Sequence, residues 1–133
     1  MAFVYMLRRV VGNSEIGHEE ARCLVRQDGD PETTGETLDP RNDLSNHSPD
    51  GVEWGYAGSG PAQLALGILA HHFEDSKNHL WFGEACSPRT PAEHLALKYY
   101  QQFKFHRITP LSQDDDHNIT TDDIRRALQE IGL

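Results

Sequence analysis

The sequence predicts an α+β fold: an N-terminal antiparallel β-hairpin and a short third strand, packed on a buried central helix and two C-terminal helices. Three observations predict it. Residues 2–11 and 20–27 alternate in the manner of strands. Residues 62–73 are apolar nearly all round, as a central helix must be. Two capping motifs, at Thr90 and Thr120, open helices toward the C-terminus.

Each element has its own signal. Phe3, Tyr5 and Leu7 alternate with Val4, Met6 and Arg8 in the first strand. Residues 12–19 are turn-like, and Ala21, Cys23 and Val25 oppose Arg22, Leu24 and Arg26 in the second strand. Residues 28–50 form a long polar connection with three of the seven prolines, of doubtful order. Val52, Trp54 and Tyr56 alternate with Glu53 and Gly55, suggesting the third strand. Gly60 suits an N-cap, Pro61 the first helical position and Gln63 the third, so the central helix starts there. Gly67 inside it costs about 1 kcal/mol against alanine, which suggests close approach of the hairpin sheet. Residues 75–89 read as an irregular insertion. The helix after Thr90 carries Leu95, Ala96, Tyr99 and Phe103 as its stripe, runs to about His106 and is stopped by Pro110. Asp114 to Asp116 read as loop, and Thr120 and Asp123 cap a last helix with Ile124, Leu128 and Ile131 at helical spacing.

Composition bounds the function. A chain of 133 residues fits one domain that can bury a core without a metal or disulfide. No apolar run is long enough to span a membrane, and Arg8 and Arg9 follow the apolar start instead of preceding it, unlike a signal peptide. A cytoplasmic location is therefore expected. Cys23 and Cys86 are then free thiols, each read as a small buried hydrophobe. The net charge of −9 disfavours binding to nucleic-acid backbones. Three Lys stand beside nine Arg, eleven Asp and ten Glu, a balance that suits high salt. It suggests a halophilic archaeon or one of its viruses; an ordinary acidic bacterial protein is the alternative.

The string from Asp39 to Phe73, DPRNDLSNHSPDGVEWGYAGSGPAQLALGILAHHF, resembles a prokaryotic and phage family of unknown function. That family's centre reads roughly L-R-N-H-S-P-x-G-F-x-W-G-Y-x-G-S-G-P-A-Q-L-A-L. The likeness continues through LKYYQQFK and ITTDDIRRAL. The lead-in DPRNDLSNHSP and the longer stretch between the first two helices depart from the pattern. The resemblance implies an α+β fold and frequent carriage on mobile elements, and brings no activity with it.

The candidate ligand residues centre on the turn at 54–63: Trp54, Tyr56, Gly58, Ser59, Gly60 and Gln63, with His47. A glycine-rich turn at a helix N-terminus can present N–H groups to an anion. Trp54 and Tyr56 could stack on a base, while Ser59 and Gln63 donate. The architectural reading is a tight turn with core aromatics. No Lys-Ser/Thr follows the glycines, so this is not a P-loop. Asn46, His47 and Ser48 suit acid–base chemistry, with His47 as a general base toward Ser59, or a simple turn before Pro49. His71, His72, His79, Cys86 and His94 are the candidates for a metal, but no CxxC or HxxxH pair supports one. Asp114 to Asp116 with Asp122 and Asp123 could hold Ca²⁺ or Mg²⁺, but their spacing matches no EF-hand loop and they read as a solvated acidic loop. Arg8, Arg9, Arg22 and Arg26 could cluster on the hairpin and read nucleic acid or an acidic partner, or pair with nearby carboxylates.

No catalytic residue, cofactor or resident metal is expected. Two functions of different class fit: a non-enzymatic accessory protein binding a protein partner or itself, or a nucleotide- or anion-binding protein, which could be an enzyme, using the Gly/Ser turn. Exposure of Trp54 and Tyr56 discriminates between them: side chains lining a pocket favour the second, and burial under the sheet favours the first.

Overall fold

The computed structural model describes residues 2–11, 19–49, 51–75 and 91–132. The turn at 12–19, the irregular stretch 75–89 and the Thr90 cap lie wholly or largely outside them. The protein is α+β, and the described residues form a four-stranded antiparallel sheet and three α-helices.

Strands β1 (Phe3–Val11) and β2 (Glu19–Gln27) form the expected hairpin, with Tyr5 opposite Val25 and Leu7 opposite Cys23. Those four side chains form the core face of the sheet and are buried. Burial pushes the Cys23 thiol up to about 12, so it packs as an unreactive hydrophobe. On the opposite face Arg8 stands across from Arg22. Val4 and Met6 are buried on that face too, and a 3-10 turn at Glu32–Thr34 lies close by. A β-carbon on Gly35, just after that turn, would sit 2.5 Å from the Met6 methyl. The four hairpin arginines thus divide. Arg8, Arg22 and Arg26 share the outer face and Arg9 takes the inner one, as period-2 alternation requires.

The other two strands are not where the sequence puts a third. Strand β3 is Glu36–Thr37, on the outer edge of β2, and β4 is His117–Thr120, on the outer edge of β1. Residues 52–56 are not a strand, because Gly55 has φ +87° and its N–H donates to Ile108 O at 3.1 Å, outside any ladder. β4 shows only one apolar residue, Ile119, which is buried opposite Tyr5.

Helix α1 (Ser59–Asp75) begins one residue before the expected N-cap, with Ala62 N–H bonding Gly58 O at 3.1 Å. Every residue from Gly60 to Ala70 is buried. Each fully buried leucine or isoleucine in that run contributes about 1.5–3 kcal/mol over exposure. Gly67 does mark a close approach, but to the connection and not to the hairpin: a β-carbon there would lie 2.9 Å from Asp39 O and 3.0 Å from Pro40 Cα. The connection lies against α1 there. Arg41, at φ +58°, reaches Asp43, Glu74 of α1 and Glu93 of the next helix. The Arg41 hydrogen bond holds the Asp43 carboxyl below its usual range.

Helix α2 (Pro91–Phe103) opens on proline as expected and continues into a π-helical turn, Lys104–Ile108, closed by Thr109 N–H to Lys104 O at 2.9 Å. Its buried stripe uses Tyr100 where the spacing suggested Tyr99, which is only half-buried. Helix α3 (Thr121–Glu130) carries both halves of its capping box: Asp123 N–H to Thr120 Oγ1 and Thr120 N–H to Asp123 Oδ2. Burial alone would raise the Asp123 pKa. The Thr120 hydrogen bonds and the Arg107 charge outweigh it and hold the carboxyl low.

Candidate functional site at the N-terminus of the central helix

The turn leading into α1 is built from the inside out. Trp54 is 0% exposed; its Nε1–H donates to Asp115 O at 3.1 Å and the Arg9 guanidinium lies 4.2 Å above its ring. Arg9 in turn makes a two-pronged pair with Glu53, at 2.9 and 2.7 Å. This Trp–Arg–Glu stack occupies the aromatic face that a base would need. Gln63 is also 0% exposed. Its Oε1 accepts from His47 N–H at 2.8 Å and Ser48 N–H at 3.2 Å, and its Nε2 donates to Pro40 O at 2.6 Å. Gln63 therefore pins the connection to α1 from within.

The His47 ring lies 2.6 Å from Tyr100 Oη and 3.1 Å from Ser45 Oγ, both through Nε2. Those hydroxyls, not Ser59, are its partners. No carboxylate completes a relay with it among the described residues.

Tyr56, Ser59 and Gly60 do meet in a concave place. They line a cleft of ≈ 370 Å³ with Glu20, Ala21 and Glu53 among the other walls. Tyr56 is 40% exposed, and a β-carbon on Gly58 would touch its ring at 2.5 Å, so the tyrosine folds back over the turn. The far wall is the edge of β2. Leu38 N–H bonds Cys23 O at 2.9 Å, so odd-numbered residues of β2 turn their backbone groups away from β1. Ala21 shares that orientation. Among the described residues, β3 pairs only with Leu24 and Val25 of β2, and no strand lies beside Ala21 on the side away from β1. No sequence pattern announces this edge, because it depends on how short β3 is.

The remaining candidates are dispersed. His71 Nδ1 is 2.7 Å from the hydroxyl of Tyr5; His72 is buried, His94 exposed, and His79 and Cys86 lie outside the described residues. No group of three His, Cys, Asp or Glu able to hold a metal occurs among the described residues. In the acidic loop, Asp116 accepts Arg9 N–H at 2.6 Å and Asp115 O serves Trp54. Arg8 pairs with Glu32, Arg22 with Glu20, and Arg26 donates to Asp30 O. No described helix is long and apolar enough to cross a membrane.

No curated protein and no solved structure gives a match to the chain. A family model does match, over residues 17–86, and this span holds β2, the connection, the turn at 54–63 and all of α1. The chain belongs to the family of unknown function DUF6166.

Proposed function

We propose that the chain is a non-enzymatic interaction protein that takes an extended segment of a partner protein along the outer edge of β2. The observation that carries this reading is the cleft itself. One wall is a strand edge with outward backbone groups at Ala21, and the other carries the half-exposed Tyr56. Strand addition supplies affinity through main-chain hydrogen bonds and specificity through an adjoining pocket. The internal bonding of Trp54, Gln63 and His47 supports the non-enzymatic part, since these groups are used in holding the fold.

An anion or nucleotide at the same place is the second reading. Ser59 and Gly60 line the cleft at the positive end of α1. Tyr56 in the lining suits this reading too, while Glu20 and Glu53 line the cleft and hold Arg22 and Arg9 in ion pairs, so neither arginine is free for an anion. Substitution separates the two. The partner captured from the protein's own host should be lost from both Ala21→Pro and Tyr56→Ser and kept by Ser59→Ala. Proline at residue 21 removes an outward N–H on an edge, where strands tolerate it, and Tyr56→Ser leaves the backbone alone. Circular dichroism checks both folds. Capture of the same partner by folded forms of both variants would sink the strand-addition reading. Loss with Ser59→Ala alone would favour the anion.

The lysine-poor acidic composition supports a cytoplasm rich in salt, in a halophilic archaeon or its virus, and the W-G-Y-x-G-S-G-P-A-Q run supports a prokaryotic or phage lineage carried on mobile elements. The chain should then refold fully in molar KCl and lose structure in dilute buffer, where 21 carboxylates against 12 cations repel unscreened. Equal stability in both, by thermal unfolding, would point to an ordinary acidic bacterial protein.

A further inference from the structure

Toward the other end of α1 lies a second concave region with a different character. Ser59 and His71 are twelve residues apart in the helix, so roughly 18 Å separates it from the β2 cleft. Its larger part, ≈ 480 Å³, has Phe3, Val25 and Leu38 as apolar lining. A second part of ≈ 400 Å³ shares Leu38, Asp39 and His71 with it, so the two form one trough. His71 stands in the seam. Its ring is fixed by the Tyr5 hydroxyl at 2.7 Å and lies edge-on to Phe3 and Tyr5, with centroids 4.8 and 5.4 Å away.

The charge along the trough is lopsided. Arg41 is engaged by Asp43, Glu74 and Glu93, and Arg26 is turned to the carbonyl of Asp30. Asp39 accepts the backbone N–H of Arg41, while Asp30 and Glu36 form no ion pair among the described residues. Three carboxylates, none of them in an ion pair among the described residues, thus outnumber Arg26 in the lining of the larger part. An anion would be repelled there, and a neutral ligand would leave those carboxylates to be desolvated without return.

We propose that this trough binds an organic cation with an apolar body: a primary ammonium or guanidinium on an alkyl or aromatic stem. The stem lies on Phe3, Val25 and Leu38, and the charged head sits among Asp30, Glu36 and Asp39. The volume suits a small ligand, whose sites run to about 300–1,000 Å³. The same chemistry is offered by a free amine or by a lysine or arginine side chain of another protein. The site stands apart from the β2 cleft and does not depend on the interaction reading.

The test is a titration of the full chain, at the lowest salt that keeps it folded, with the His71 imidazole resonances as readout. The probes are hexylammonium, the capped dipeptide acetyl-Phe-Lys-amide, and hexanoate as the anionic control. The expected result is saturable movement of the His71 signals by a cationic probe and none by hexanoate. The double variant Asp30→Asn, Glu36→Gln should bind about five- to tenfold more weakly, as expected for two exposed ionic contacts. Both positions are on the surface, so the fold should survive. Tighter binding of the dipeptide would assign the cation to a protein side chain, and tighter binding of hexylammonium to a free amine. Movement of His71 by neither cation, equal binding of hexanoate, or wild-type affinity in the double variant would overturn the proposal.

Discussion

Replacing Gln63 with alanine should destabilise the protein by about 3–5 kcal/mol, read as a lower denaturant midpoint at unchanged slope. The reason is the number of groups that depend on one side chain. Gln63 is buried and satisfies the N–H of His47, the N–H of Ser48 and the carbonyl of Pro40. Truncation strands those backbone groups away from water, each at about 1–3 kcal/mol, and leaves a void beside α1. The loss should spread along the connection, because His47 carries the contacts to Tyr100 and Ser45. Gln63→Glu is the informative companion. It retains an acceptor for the two N–H groups but sets a carboxylate oxygen against Pro40 O. A cost below about 1 kcal/mol for the alanine variant would mean that water replaces the glutamine.

Gly55→Ala should cost about 2–4 kcal/mol, an unusual penalty for adding one methyl group. Two effects act together. The residue sits at φ +87°, which side chains disfavour. Its β-carbon would also lie 2.6 Å from Gln113 Cα and 2.8 Å from Gln113 N, backbone atoms that cannot rotate away. The turn and the loop before β4 would have to part, breaking the Gly55 N–H bond to Ile108 O. Trp54, packed next door under Arg9, would report the change in its fluorescence. A melting temperature equal to the wild type's would contradict the close packing.

The hairpin, α1 and α3 are legible in the sequence because each is specified locally. Alternation sets the pairing of Tyr5 with Val25, apolar density sets the burial of α1, and Thr120 with Asp123 caps α3 within a single turn. The other two strands are not legible. β3 has two residues, and β4 is strand because β1 offers it an edge, not because His117–Thr120 is apolar. The alternation at Val52, Trp54 and Tyr56 misleads for a related reason. Trp54 is buried by tertiary packing, and Gly55 turns the chain where a strand would continue.

The candidate site divides in the same way. That 54–63 is a tight turn into a buried helix can be read from its glycines, Pro61 and the apolar run that follows. That Gln63 points inward, and that Arg9 from β1 covers Trp54, cannot be read, since the partners of Gln63 are 15 to 23 residues away and Arg9 is 45 residues from Trp54. The trough at His71 is further from view. Phe3, Val25, Leu38 and His71 come from four parts of the chain, and His71 by itself suggests only a metal ligand.

The measurement that bears most directly on the interaction reading is native mass spectrometry of the protein taken gently from its own host. The expected result is a second polypeptide in fixed stoichiometry, released when Tyr56 is replaced by serine. A nucleotide or other anion carried by a lone chain, and lost with Ser59→Ala, would contradict it and make the turn at 54–63 a ligand site.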